Sequence, residues 1–173
     1  MARISGSGEC PECGGQHDGV AAGFGFPAPD QWVTATEDER GAGELDADSC
    51  ALVLSGFEQY FVRGVIEVPV TDSEPGAFTW SVWVRLDQEE MLQIARHWDD
   101  KDRARLAPVF GWLCNELPYE TTTSMLPVRL RLRPPGQAPS VDLDPSVLHV
   151  LASEQSDGIT SHRVAEISQF MLG

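Results

Sequence analysis

Cys10-Pro11-Glu12-Cys13-Gly14-Gly15, followed by His17, is the part of the chain best suited to chemistry. Two cysteines separated by two residues, with glycine after the second, form half of a zinc knuckle. A tight turn there aims both thiolates at one tetrahedral ion, and the glycines let backbone amides approach the sulfurs. A structural zinc takes four ligands and a knuckle supplies two. No second Cys-x-x-Cys exists, so single residues must complete the set. His17 is nearest in sequence and Cys50 is the next cysteine. The expected site is therefore Cys10, Cys13, His17 and Cys50. The alternative is a metal-free pair of thiols in a turn. A redox role would need a βαβ setting with the pair at a helix N-terminus, which the surrounding residues do not suggest.

Other reactive types have plainer explanations. Arg63 and Glu67 share one face of a predicted strand about 13 Å apart, so they cannot pair with each other. Arg85 is the expected partner of Glu67 across the next strand. Arg129, Arg131 and Arg133 form a basic stripe, read as a solvated or helix-covered strand face. His97 lies beside Asp99 and Asp100 at a predicted helix end, where the dipole favours an imidazolium. His149 and His162 fall on predicted helices as ordinary surface or boundary residues. No Ser-His-Asp string, nucleophile elbow or phosphate loop occurs. Gly23-x-Gly25 sits among prolines and is no nucleotide fingerprint.

The elements that must position these residues follow from periodicity. Residues 1–48 are rich in Gly and Pro and then acidic. They are expected as an irregular arm docked through Phe24, Phe26 and Trp32. A short strand starts at Cys50. Tyr60, Val62, Ile66, Val68 and Val70 then share one strand face, opposite Phe61, Arg63, Val65 and Glu67. Thr71 to Gly76 is turn chemistry. Phe78, Trp80, Val82, Val84 and Leu86 alternate along the returning strand, completing a long antiparallel hairpin. Asp87 is expected to cap a helix ending near Trp98, with Glu90 completing a capping box. Phe110–Leu117 is expected as a strand or a packed turn, and further strands over Leu126–Leu132 and at Val141–Leu143. Asp144-Pro145 is expected to start a helix burying Val147, Leu148 and Leu151, stopped by Gly158. Thr160 caps a last one. The order predicts one α+β domain over residues 1–173: the arm, then a body (49–173) with a mainly antiparallel sheet and helices on one face.

Composition narrows the partners. Twelve basic and 27 acidic side chains leave a net charge of −15 over 173 residues. That field repels nucleic acid and anionic lipid and favours a basic protein or a cation. The bland reading is solubility. No run of about 18 apolar residues and no signal-peptide core is present, so no membrane association and a cytoplasmic location are expected. Four cysteines are too few for a disulfide scaffold in a chain of this size.

Several strings together resemble the bacterial family designated domain of unknown function 2199. They include Cys10-x-x-Cys13 with His17-Asp18, Pro27-Ala28-Pro29-Asp30 and Leu45-Asp46-x-Asp48-x-Cys50. They continue through residues 61–70, Trp80-Ser81-Val82-Trp83-Val84, Phe110-Gly111-Trp112-Leu113, Leu117-Pro118-Tyr119 and Glu154-Gln155-x-x-Gly158-Ile159. The resemblance implies that Cys10, Cys13, His17 and Cys50 belong to the family pattern, while Cys114 is incidental. It implies no activity. Around His149 the chain departs from the pattern, lacking the neighbouring Asp and Pro.

The resulting expectation is a cytoplasmic protein-binding module carrying structural zinc. Two alternatives stand beside it. One is a toxin-neutralising immunity protein that binds a basic partner. The other is a metal-dependent enzyme using the ion or a pocket around His17, Glu67 and His149.

Overall fold

The computed structural model describes residues 2–4, 9–17, 19–74 and 76–173. Asp18 of the His17-Asp18 string and Pro75 of the expected 71–76 turn lie outside the described residues.

The strands in chain order are β1 (Arg3–Ile4), β2 (Val20–Ala21), β3 (Gly23–Gly25), β4 (Glu44–Leu45) and β5 (Ser49–Leu54). They continue as β6 (Phe57–Pro69), β7 (Ala77–Leu86), β8 (Val109–Leu113), β9 (Pro127–Arg131) and β10 (Ser140–Leu143). The helices are α1 (Asp30–Thr34), α2 (Glu37–Ala42), α3 (Gln88–Arg96), α4 (Val150–Asp157) and α5 (Ser161–Leu172).

β6 and β7 form the expected hairpin, in register from Tyr60 opposite Leu86 to Pro69 opposite Ala77. β8, β9 and β10 follow as antiparallel neighbours, and β10 then pairs with β6. The sheet thus closes into a barrel of β6 to β10. It is not the open antiparallel sheet with helices on one face that the element order suggests. In a meander of five strands the last runs in the same direction as the first, so the closing β10–β6 pair is parallel. Closure leaves no free edge within β6 to β10, and the sheet's edge strands are β3 and β4.

β6 and β7 are long enough to serve two partners each. The first half of β6 pairs with β5, which pairs with β4; its second half meets β10. Likewise β3 runs parallel to β7 at Thr79–Ser81, while β8 pairs with it at Val84–Arg85. Alternation on these strands therefore builds two cores. Val62, Ile66, Val68, Phe78, Trp80, Val82 and Val84 join Leu113, Leu130 and Val141 inside the barrel. Phe61 and Trp83 point the other way, into a second cluster with Ala35, Cys50, Leu52 and Cys114. Barrel positions crowd their neighbours. A Cβ on Gly111 would stand 2.5 Å from Val84 Cγ1, and one on Gly64 would stand 2.5 Å from Val141 Cγ2.

The segment before Asp48 is not an irregular arm. It contributes β1 to β4 and two short helices, because its apolar residues need the outer face of the hairpin as a floor. Phe26 and Trp32 pack on the second cluster, and Trp83 Nε1–H donates to the Phe26 carbonyl (3.0 Å). Phe24 packs on the barrel core beside Phe78 and Trp80. Asp30 is tied down by buried Asn115, which donates to its carboxylate and accepts from Trp83 N–H.

Two helix starts differ from expectation. Asp87 precedes α3, but its side chain makes no capping hydrogen bond, so the box with Glu90 does not form. Such a box forms instead at α2, between Thr36 and Glu39. Asp144 does not start α4. It closes a local turn with Ser146, Leu148 is fully exposed, and the helix starts after His149. His149 Nδ1 accepts from Leu151 N–H, and the other ring nitrogen faces the Thr121 carbonyl. Those partners select the neutral tautomer with the proton on Nε2.

Candidate metal centre

The knuckle is closed by its own backbone. Cys10 N–H donates to the Gly15 carbonyl and Gly14 N–H to the Cys10 carbonyl, both at 2.7 Å. Gly14 has φ of +70°, a conformation that a side chain would strain.

The opposite wall is the first turn of α5, positioned by the far end of the β6–β7 hairpin. Val70 bridges to Ile159, whose N–H donates to the Pro69 carbonyl. Asp72 accepts from both the backbone and the hydroxyl of Ser161. Thr160 caps α5 by accepting from Arg163 N–H, and its hydroxyl donates to Glu12 inside the knuckle (3.1 Å). α5 also packs on β2. These contacts bring His162 up to the knuckle.

Cys10, Cys13, His17 and His162 then place one donor atom each within 4.8 Å of one another. Cys10 Sγ lies 3.7 Å from His162 Nδ1, Cys13 Sγ lies 3.3 Å from His17 Nε2, and the two imidazole nitrogens are 3.2 Å apart. Around a tetrahedral zinc, ordinary bond lengths place sulfur and nitrogen about 3.5 Å apart and two nitrogens about 3.3 Å apart. These three separations lie near those edges, and the four residues could hold a metal ion. Glu166 Oε1 lies 3.7 Å from the other ring nitrogen of His162, on the outer side of the cluster. At that distance the pair is a charge contact and not a hydrogen bond.

A sequence model of a family described as an uncharacterized protein conserved in bacteria (DUF2199) matches residues 9–159. The chain belongs to DUF2199. No curated protein and no solved structure matches it. The DUF2199 match includes Cys10, Cys13 and His17, and it stops before His162.

Cys50 corrects the expected ligand set. On β5 it lies opposite Phe61, and alternation turns it into the second apolar cluster, where it is 2% exposed. Burial, with the charge of Asp46 second, pushes its thiol up to about 12. Cys50 is packed in that cluster, and the donor that joins Cys10, Cys13 and His17 is His162. Cys114 is buried in the same cluster, with its thiol pushed up to about 11 mainly by burial. Of the DUF2199 strings, Pro27–Asp30, Leu117–Tyr119 and Glu154–Gln155 hold the fold. Tyr119 O–H donates to Glu154, which also accepts from Arg163. Gln155 joins α4 to β10 through Leu143 N–H and the Val141 carbonyl.

The remaining candidates are committed elsewhere. Glu67 pairs with Arg133 at 2.8 Å, not with Arg85, whose guanidinium lies 5.0 Å from the Trp112 ring centre. Arg63 donates to Ser81 Oγ and the Ala47 carbonyl. Within the basic stripe, Arg129 stacks on Phe110. His97 bonds to Asp100 at 2.6 Å. A pocket of His17, Glu67 and His149 is therefore not assembled: His17 faces the cluster, Glu67 is in an ion pair and His149 caps α4.

Proposed function

We propose that the protein is a binding module for a basic protein partner, held together by a structural zinc ion bound by Cys10, Cys13, His17 and His162. The observation that supports the zinc reading is the convergence of four protein donor atoms within 4.8 Å of one another. Two thiolates and two imidazoles in that geometry suit zinc better than calcium, magnesium or square-planar copper. Four protein ligands leave no open position for a reacting water, which favours a structural role over a catalytic one. Such an ion couples residues 10–17 to α5 and contributes its binding energy to the fold. The binding part of the reading is supported by the net charge of −15. Among the described residues, no helix is long and apolar enough to cross a membrane.

The test is elemental analysis of the purified protein, with variants. One zinc per chain is expected, lost in Cys13→Ser and retained in Cys50→Ala. A protein free of stoichiometric metal, or one whose zinc survives in Cys13→Ser, would sink the zinc reading.

A further inference from the structure

We infer that the groove between α3 and the β4–β5 turn is the docking site for a lysine or arginine side chain of a basic partner protein. The inference rests on the binding-module reading. The groove has a volume of about 460 Å³. Its wall on the α3 side is apolar, made by Met91, Ile94, Ala95 and Trp98. Its rim is anionic and comes from both sides: Asp46 and Asp48 from the turn, and Asp99 from the end of the helix. Those two zones match the two parts of a long basic side chain. The methylene stem gains by lying on apolar surface, and the charged head gains from carboxylates at the lip.

The rim is built before any partner arrives. Asp46 accepts hydrogen bonds from the backbone N–H groups of Asp48 and Ser49 and from Ser49 Oγ. The Asp48 amide, with the other bonds, holds its carboxyl below the usual range, so it stays charged. Among the described residues, neither Asp48 nor Asp99 is in an ion pair. Arg63, on the strand beside the turn, directs its guanidinium to Ser81 Oγ and the Ala47 carbonyl. Trp98 is held in place by the buried guanidinium of Arg103, 4.7 Å from its ring centre. The charge of the whole chain adds long-range attraction for a basic partner.

The test is calorimetric titration of the zinc-loaded protein with a short Lys/Arg peptide, its Glu-substituted counterpart and free arginine amide. One saturable site for the basic peptide is expected, with no binding of the acidic one and weaker binding of the free amide. Ala95→Phe, on the exposed side of α3, fills the groove without touching the charges, and Asp48→Asn with Asp99→Asn removes charge without filling it. Each change should weaken binding by about tenfold or more, or roughly 1.4 kcal/mol. Basic-peptide binding that ignores Ala95→Phe would be diffuse attraction to an acidic surface and would overturn the proposal. So would an absence of binding, or free arginine amide binding as tightly as the peptide. Zinc content is measured on the same samples. Loss of zinc with the groove intact defeats only the metal reading, and loss of groove binding with zinc in place defeats only this one.

Discussion

His162 Nδ1 lies 3.2 Å from His17 Nε2, although 145 residues separate them in sequence. Sequence proximity joins the other three donors, but topology alone delivers the fourth. Replacing His162 by Ala should therefore weaken zinc binding by at least about tenfold, as outer-shell changes alone commonly cost 10–100-fold. Competition with a chromophoric chelator reads this directly. Unchanged affinity would show that His162 is not a ligand.

The Cys13 thiol should separate in reactivity from the two core thiols, Cys50 and Cys114. Cys13 is exposed, whereas Cys50 and Cys114 are buried with thiols pushed up to about 12 and about 11. After chelation, iodoacetamide at neutral pH should label Cys13 first and leave Cys50 and Cys114 untouched until denaturant is added. Zinc should protect Cys13. Peptide mass mapping distinguishes the classes, and early labelling of Cys50 would contradict its place in the core.

The Cys50 thiol also predicts alkaline behaviour. The folded state holds its proton more tightly than the unfolded chain, whose thiol titrates near about 8.5. The associated stability is intact below that value and declines as pH rises towards about 12. Cys50→Ala should cost about 1 kcal/mol at pH 7 through lost packing, yet flatten the decline above pH ~8.5. Urea midpoints at several pH values measure the difference.

Barrel closure depends on bare backbone. The Cβ of Gly111→Ala would meet Val84 Cγ1 at 2.5 Å and the Arg85 carbonyl at 2.7 Å. Overpacking of this kind costs about 1–3 kcal/mol. Gly41→Ala, with open space around its Cβ, is the matched control within α2. It should be neutral or slightly stabilising, and equal losses in the two variants would contradict the barrel packing.

Arg103 should tolerate no replacement. It is buried and donates to the carbonyls of Trp98, Arg133, Pro134 and Gln137. Only a planar guanidinium reaches all four, so Arg103→Lys should lose at least about 2 kcal/mol in thermal unfolding. Full stability in that variant would show the carbonyls satisfied by other means.

The β6–β7 hairpin was legible because period-two alternation over ten or more residues has one interpretation. Barrel closure was not, because the β10–β6 pairing joins segments about 75 residues apart and rests on a single register pair, Ser140 with Val65. The start of α4 was misplaced because Asp144-Pro145 carries local turn chemistry that looks like a helix start. The His149 ring, an unusual cap, fixes the true one. In the candidate metal centre, spacing alone groups Cys10, Cys13 and His17. It does not reach His162, since a lone helical histidine carries no signal of what α5 is packed against. Cys50 is not brought to that group, because with Leu52 it lies on the buried face of β5.

The separation of His17 from His162 also sets a clock on biosynthesis. A ribosome adding about 5–20 residues per second needs roughly 7–30 s to travel between them. During that interval the nascent chain presents two thiols and one imidazole to the cell with no fourth donor. Ion capture at full strength must wait until the start of α5 has emerged and docked. On the zinc reading proposed above, loading would report that α5 has been made and docked, and chains stalled before that helix would be left unclasped.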